Sequence, residues 1–109
     1  MPDDQDVAAV GLPAQRRALP PEALAGLREA FAGEVAARLP RLQELLTAPP
    51  GPDALRDAHA LGSSAVVVGE PEASRTARAL EAELSSDAPD PDLLAELVHE
   101  LTRRLQDWA

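Results

Sequence analysis

Residues 54–69 read ALRDAHALGSSAVVVG. Set at 100° per residue, Ala54, Ala58, Leu61, Ala65 and Val68 fall on one stripe, the spacing of a helix packed along one side. Arg56, His59, Ser63 and Val66 fall on the opposite side. The segment is therefore predicted to bury a face of small residues and to display an imidazole to its surroundings. Gly62 and Ser63, about one turn beyond His59, would let another molecule's backbone come close. Val66 and Val67 lie on or beside the same face, and exposed valines next to a reactive side chain read as a docking surface unless another element, such as the N-terminal tail, covers them.

Working outward, the sequence Ala48-Pro49-Pro50-Gly51-Pro52 is a loop, and Asp53 is placed to cap the His59 helix. Upstream, Pro20-Pro21 opens a helix whose stripe is Leu24, Leu27, Phe31, Val35, Leu42 and Leu45, running to about Thr47. Pro40 lies inside that stripe and is expected to kink it. Gly33 is a weaker break, so two shorter helices are an alternative there. Downstream, the His59 helix ends near Gly69, and Pro71 starts a third helix with Ala73, Ala77, Leu80 and Leu84 as its stripe. Ser85 to Pro89 make a turn. Asp90 is an N-cap with Pro91 at the first helical position, and the last helix buries Leu94, Leu97, Leu101, Leu105 and Trp108. No strand signal or internal repeat appears. Four helices joined by short loops give an all-α fold, an antiparallel up-down-up-down bundle over residues 20–109. Residues 1–19 carry no sustained period and read as a tail, flexible or with one short helical turn near Val7 to Val10.

Composition narrows the function. A chain of 109 residues makes one domain. Its hydrophobic content is 45% but its aromatic content only 2%, so the core must be Leu, Ala and Val. The absence of cysteine excludes disulfides, iron–sulfur clusters and thiolate zinc sites. A net charge of −9 argues against nucleic acid as a direct partner. No run is long enough to span a membrane, and the acidic Met1-Pro2-Asp3-Asp4-Gln5-Asp6 start is not a secretory signal. A soluble, cytoplasmic protein is expected. The chain has no lysine; all ten basic residues are arginine.

The pattern His59-x-Leu61-x-x-Ser64-x-x-x-x-Gly69, followed by Leu80-Glu81, resembles the histidine-containing phosphotransfer (HPt) domains of bacterial phosphorelays. In that family the histidine is followed by leucine two on, lysine three on, glycine four on and a second glycine ten on. A Leu-Glu pair closes the motif on the next helix. Leu61, Ser64, Gly69, Leu80 and Glu81 keep these spacings without a gap, and Phe31 stands about where the family carries a phenylalanine on its preceding long helix. The resemblance covers roughly Pro20 to Trp108. Gly62 departs from it where the family has lysine, and Ser63 where it has its first glycine.

The resemblance implies a phosphocarrier rather than an enzyme, with His59 as phosphoacceptor. Its partners would be a histidine kinase and the receiver domain of a response regulator, whose aspartate exchanges the phosphoryl group. The chain needs no cofactor or metal of its own, Mg²⁺ belonging to the receiver. An unobstructed docking face, with Gly62, Ser63, Val66 and Val67 as its residues, favours a monomer. The chemistry requires a neutral imidazole, and an ordinary histidine pKa of about 6.5 supplies one at cellular pH. The second ring nitrogen needs an acceptor to fix tautomer and orientation. Glu81, at the edge of the third helix's apolar stripe, is the candidate. A cation beside the transferred group would help. Gly62 supplies none, but Arg56, one turn before His59, or Arg78, one turn before Glu81, would. By residue type alone, Glu81, Arg56 and Arg78 are equally read as ordinary solvated helix charges.

Other chemistries find less support. Ser63 and Ser64 suggest no hydrolase: Ser63 is one turn from His59, but no oxyanion-hole loop is visible. His59 and His99 have no metal-ligand spacing, and His99 reads as a surface residue. Glu22, Glu29, Glu34 and Glu44 read as solvated charges. Two rivals remain. One is a degenerate module that docks or sequesters a receiver without phosphotransfer, as the missing lysine and glycine would allow. The other is a plain structural bundle.

Overall fold

The computed structural model of the chain describes residues 20–108, so the tail assigned to residues 1–19 lies outside the described part. Four α-helices follow one another: α1 (Pro21–Gln43), α2 (Ala54–Val67), α3 (Pro71–Leu84) and α4 (Pro91–Leu105). They form the expected all-α bundle, with no strand among the described residues. Short 3₁₀ turns, Glu44–Leu46 and Gln106–Trp108, extend α1 and α4.

The long helix α1 is continuous, and the alternative of two shorter helices does not hold. It passes Gly33 and Pro40 without ending, and tightens into the 3₁₀ turn only after Gln43. Proline removes a helical donor and leaves the carbonyl four residues back, that of Ala36, without its partner. Pro40 and Ala36 are both exposed, so solvent can serve that carbonyl. The buried stripe also begins later than the sequence suggested. Phe31, Val35, Leu39 and Leu42 are buried, whereas Leu24 and Leu27 are exposed. The cause is length: α1 has 23 residues and its neighbours 14 or 15. At 1.5 Å per residue α1 outruns them by roughly 12 Å.

The core is aliphatic. Ala58, Leu61 and Ala65 of α2, Ala73, Ala77 and Leu80 of α3, and Leu94, Val98, Leu101 and Leu105 of α4 close on the α1 residues. Leu45, Val68, Leu84, Leu97 and Trp108 flank it, half-buried. The two aromatic residues meet edge to face, Phe31 and Trp108 having ring centroids 4.8 Å apart. Trp108 Nε1 also donates to Glu70 Oε2 at 3.0 Å, and the Arg28 guanidinium lies over the indole. The end of the chain is thereby tied to α1 and to the turn between α2 and α3.

Helix ends decide where α2 stops. Gly69 has φ +80°, a left-handed conformation that costs other residues a steric penalty. With it, Glu70 N–H donates to Ala65 O at 2.8 Å and Gly69 N–H to Val66 O at 3.1 Å. This pair of bonds is the Schellman closure of a helix C-terminus. Gly69→Ala is expected to lower stability by about 1 kcal/mol, read as a shift in a urea midpoint with unchanged slope. At the helix starts, Asp90 caps α4 as expected, its carboxylate accepting from Asp92 N–H at 2.9 Å. Asp53 does not cap α2 with its side chain. The carboxylate turns instead to Arg56, 3.6 Å away.

Candidate functional site

The seam between α2 and α3 is built from small residues. Gly62 is buried, and a Cβ placed on it would stand 3.5 Å from Ala77 Cβ and 3.7 Å from Ser74 O. The close approach lets the Ser74 hydroxyl, itself buried, donate to Gly62 O at 2.8 Å. Without side chains to hold the helices apart, polar groups on the rim of the seam can meet directly. His59 and Glu81 do so: His59 Nδ1 lies 2.9 Å from Glu81 Oε2.

An ionised carboxylate only accepts hydrogen bonds, so Nδ1 carries the proton in that contact. In the neutral ring the lone pair then resides on Nε2, which makes no hydrogen bond to any described residue. The His59 side chain is 66% exposed and that of Glu81 31%. The site is thus a solvent-facing imidazole whose tautomer and orientation are set by the Glu81 contact. The expected outward face of α2 is otherwise present: Arg56, Ser63, Val66 and Val67 are all exposed beside His59.

Gly62 requires a correction. The sequence places it on the face offered to a partner, but it is buried in the seam and covered by α3. The Arg78 stem lies across it, with Cγ 3.3 Å from where a Gly62 Cβ would be. Of the two candidate cations, Arg56 is near Asp53, the residue just before its helix, whereas Arg78 has no carboxylate within ion-pairing distance among the described residues and stands on the same seam as Glu81.

Sequence reading missed how α2 is anchored on its far side. Asp57 is only 1% exposed. Its carboxylate accepts from Arg38 Nη1 at 2.8 Å, Arg41 Nε at 3.0 Å and Arg41 Nη2 at 2.8 Å, both arginines belonging to α1. Asp57 precedes His59 by two residues, a 200° turn of the helix, so this clamp fixes the rotation that points His59 outward. The available signal was Asp57 standing at the edge of the buried arc of Ala54, Ala58 and Leu61, about 40° beyond Leu61, with two arginines three apart on α1. A second tie uses Ser64, whose hydroxyl donates to Glu34 Oε2 at 2.7 Å. Glu34, read as a solvated charge, is in fact half-buried between Ser64 and Arg38. Glu22, Glu29, Glu44 and His99 are exposed, as expected.

A model of the Hpt domain family matches residues 26–108, which takes in the greater part of α1 and all of α2, α3 and α4. No curated protein and no solved structure matches the chain significantly. No helix among the described residues is long and apolar enough to cross a membrane.

Proposed function

This chain belongs to the Hpt domain family, and from that premise we propose that it carries a phosphoryl group on His59 and exchanges it with the aspartate of a response-regulator receiver domain. The family's members are phosphotransfer modules of two-component signalling that meet kinases and response regulators. The observation that carries the proposal is the disposition of the imidazole. Nδ1 is held 2.9 Å from Glu81 Oε2, and Nε2 has no partner among the described residues on a side chain open to solvent.

The step follows from that geometry. The Nε2 lone pair attacks phosphorus, the bond from phosphorus to the aspartyl oxygen breaks, and its electron pair leaves with the aspartate. Nδ1 keeps its proton, so the phosphorylated ring becomes cationic, and the Glu81 carboxylate faces the developing charge. Reversal of the step loads the next receiver. The domain contributes an oriented nucleophile; Mg²⁺ and most of the remaining electrostatics belong to the receiver.

Glu81→Ala is expected to slow labelling of His59 about fivefold, the value of a net hydrogen bond of roughly 1 kcal/mol at an exposed site. Initial rates with a small phosphoryl donor check it; a rate equal to wild type removes Glu81 from the mechanism. The proposal itself is tested by transfer. Domain labelled on His59 is mixed with a panel of receiver domains, and label is expected to leave the domain and appear on a receiver aspartate. The loss of the lysine favours one other reading, a module that docks receivers without transfer. In that case no label moves, and a receiver binds His59→Ala as tightly as wild type.

A further inference from the structure

We propose that Arg78 supplies the positive charge that holds the phosphoryl group on His59, reaching it across the surface of Gly62. The proposal rests on His59 being the phosphoacceptor. Its physical basis is the register of the α2–α3 seam and a census of the chain's cations.

The helices run antiparallel along this seam. His59 stands against Glu81, and three residues further along α2, three back along α3, Gly62 stands against Arg78. Residues three apart on a helix lie on the same flank, about one turn from each other. Arg78 therefore borders the same seam as His59, one turn along. Gly62 has no side chain to occupy the intervening rim, and the aliphatic stem of Arg78 lies where one would begin, with Cγ 3.3 Å from the position of a Gly62 Cβ. From a stem laid toward α2, the flexible guanidinium has the reach to turn to the α2 side of the seam.

The second observation is that this cation is uncommitted among the described residues. Eight of the chain's arginines are among the described residues. Arg38 and Arg41 are bound to Asp57, Arg56 is near Asp53, Arg75 pairs with Glu72, and Arg103 and Arg104 pair with Glu100. Arg28 lies over the Trp108 ring. Only Arg78 lacks a carboxylate or aromatic partner among the described residues. In a chain with no lysine and a net charge of −9, an arginine beside the nucleophile with no carboxylate or aromatic partner among the described residues is where an anion would be received.

The charge has a defined task. When Nε2 attacks phosphoramidate, the Nε2–P bond forms, the P–N bond of the donor breaks, and its electron pair leaves with ammonia. The transferred group keeps its negative charge on three oxygens. A planar guanidinium can donate to two of them at once, in the transition state and in the phosphorylated product.

The test uses phosphoramidate as the probe and reads both the initial labelling rate and the lifetime of the phosphorylated domain. Arg78→Met keeps a stem over Gly62 and removes the charge; it is expected to label on the order of tenfold more slowly and to lose its phosphoryl group faster. Arg78→Lys keeps the charge and is expected to remain close to wild type. Arg78→Ala combined with Gly62→Lys is expected to recover most of the rate lost in Arg78→Ala, because removing Cγ leaves Ala77 Cβ, at 3.5 Å, as the nearest neighbour of the new side chain. Wild-type rate and lifetime in Arg78→Met, with wild type itself labelled, would overturn the role of Arg78 and leave His59 as the acceptor. Absence of label on the wild-type domain contradicts the phosphocarrier reading, and this proposal falls with it.

Discussion

His59→Gln is expected to retain the helicity and melting midpoint of the wild-type domain while losing labelling by phosphoramidate to below about one hundredth of the wild-type rate. The side chain is 66% exposed, so its replacement removes little packing. Glutamine is a good helix former of similar reach, and its amide can still donate to Glu81. What disappears is the basic lone pair, since an amide nitrogen's pair is delocalised into the carbonyl. His99, the other histidine, remains as an internal control. It is exposed on α4 and makes no hydrogen bond to a described residue, so nothing among the described residues fixes its tautomer. A variant that labels at wild-type rate would move the acceptor away from His59.

Asp57→Ala is expected to have the opposite profile, with a large cost in stability. The carboxylate is buried and receives three charge-assisted hydrogen bonds from two arginines of α1. Breaking a buried ion pair from one side usually costs 3–5 kcal/mol. Here the arginine side chains are 26% and 49% exposed and can turn toward water when released. The lower end applies, about 3 kcal/mol, or a fall in melting midpoint on the order of 15 °C for a domain of this size. The Arg38→Ala/Arg41→Ala pair should cost at least as much, because it strands the buried carboxylate. A shift of only a degree or two in Asp57→Ala would show that the clamp contributes little and that apolar packing alone sets the rotation of α2.

How far the sequence could be read follows from which forces leave a periodic trace. The stripe Ala54, Ala58, Leu61 and Ala65 was legible because burial of apolar side chains repeats with the helix. The outward position of His59 followed from the same period. Gly69 was legible as a helix stop, and Asp90 as a cap, because both are local backbone requirements. The exposed first turns of α1 were not, since Leu24 and Leu27 continue the period and only the shorter lengths of α2, α3 and α4 leave them uncovered. Asp57 was missed because a carboxylate interrupts an apolar pattern, and its partners lie 16 and 19 residues away. Gly62 was misplaced for a related reason. Its position relative to His59 is ambiguous between the seam and the open face, and the packing of α3 decides it. The pairing of His59 with Glu81 was anticipated from the third helix's stripe and from the family resemblance; the position of Arg78 over Gly62 needed the interhelical register.

The phosphoacceptor itself is best tested on the unmodified domain, incubated with phosphoramidate and followed by intact-mass analysis and peptide mapping. One acid-labile phosphoryl group per chain, on the peptide containing His59, is the expected result. No adduct, or one that maps to His99 or elsewhere, would contradict phosphoryl carriage by this site.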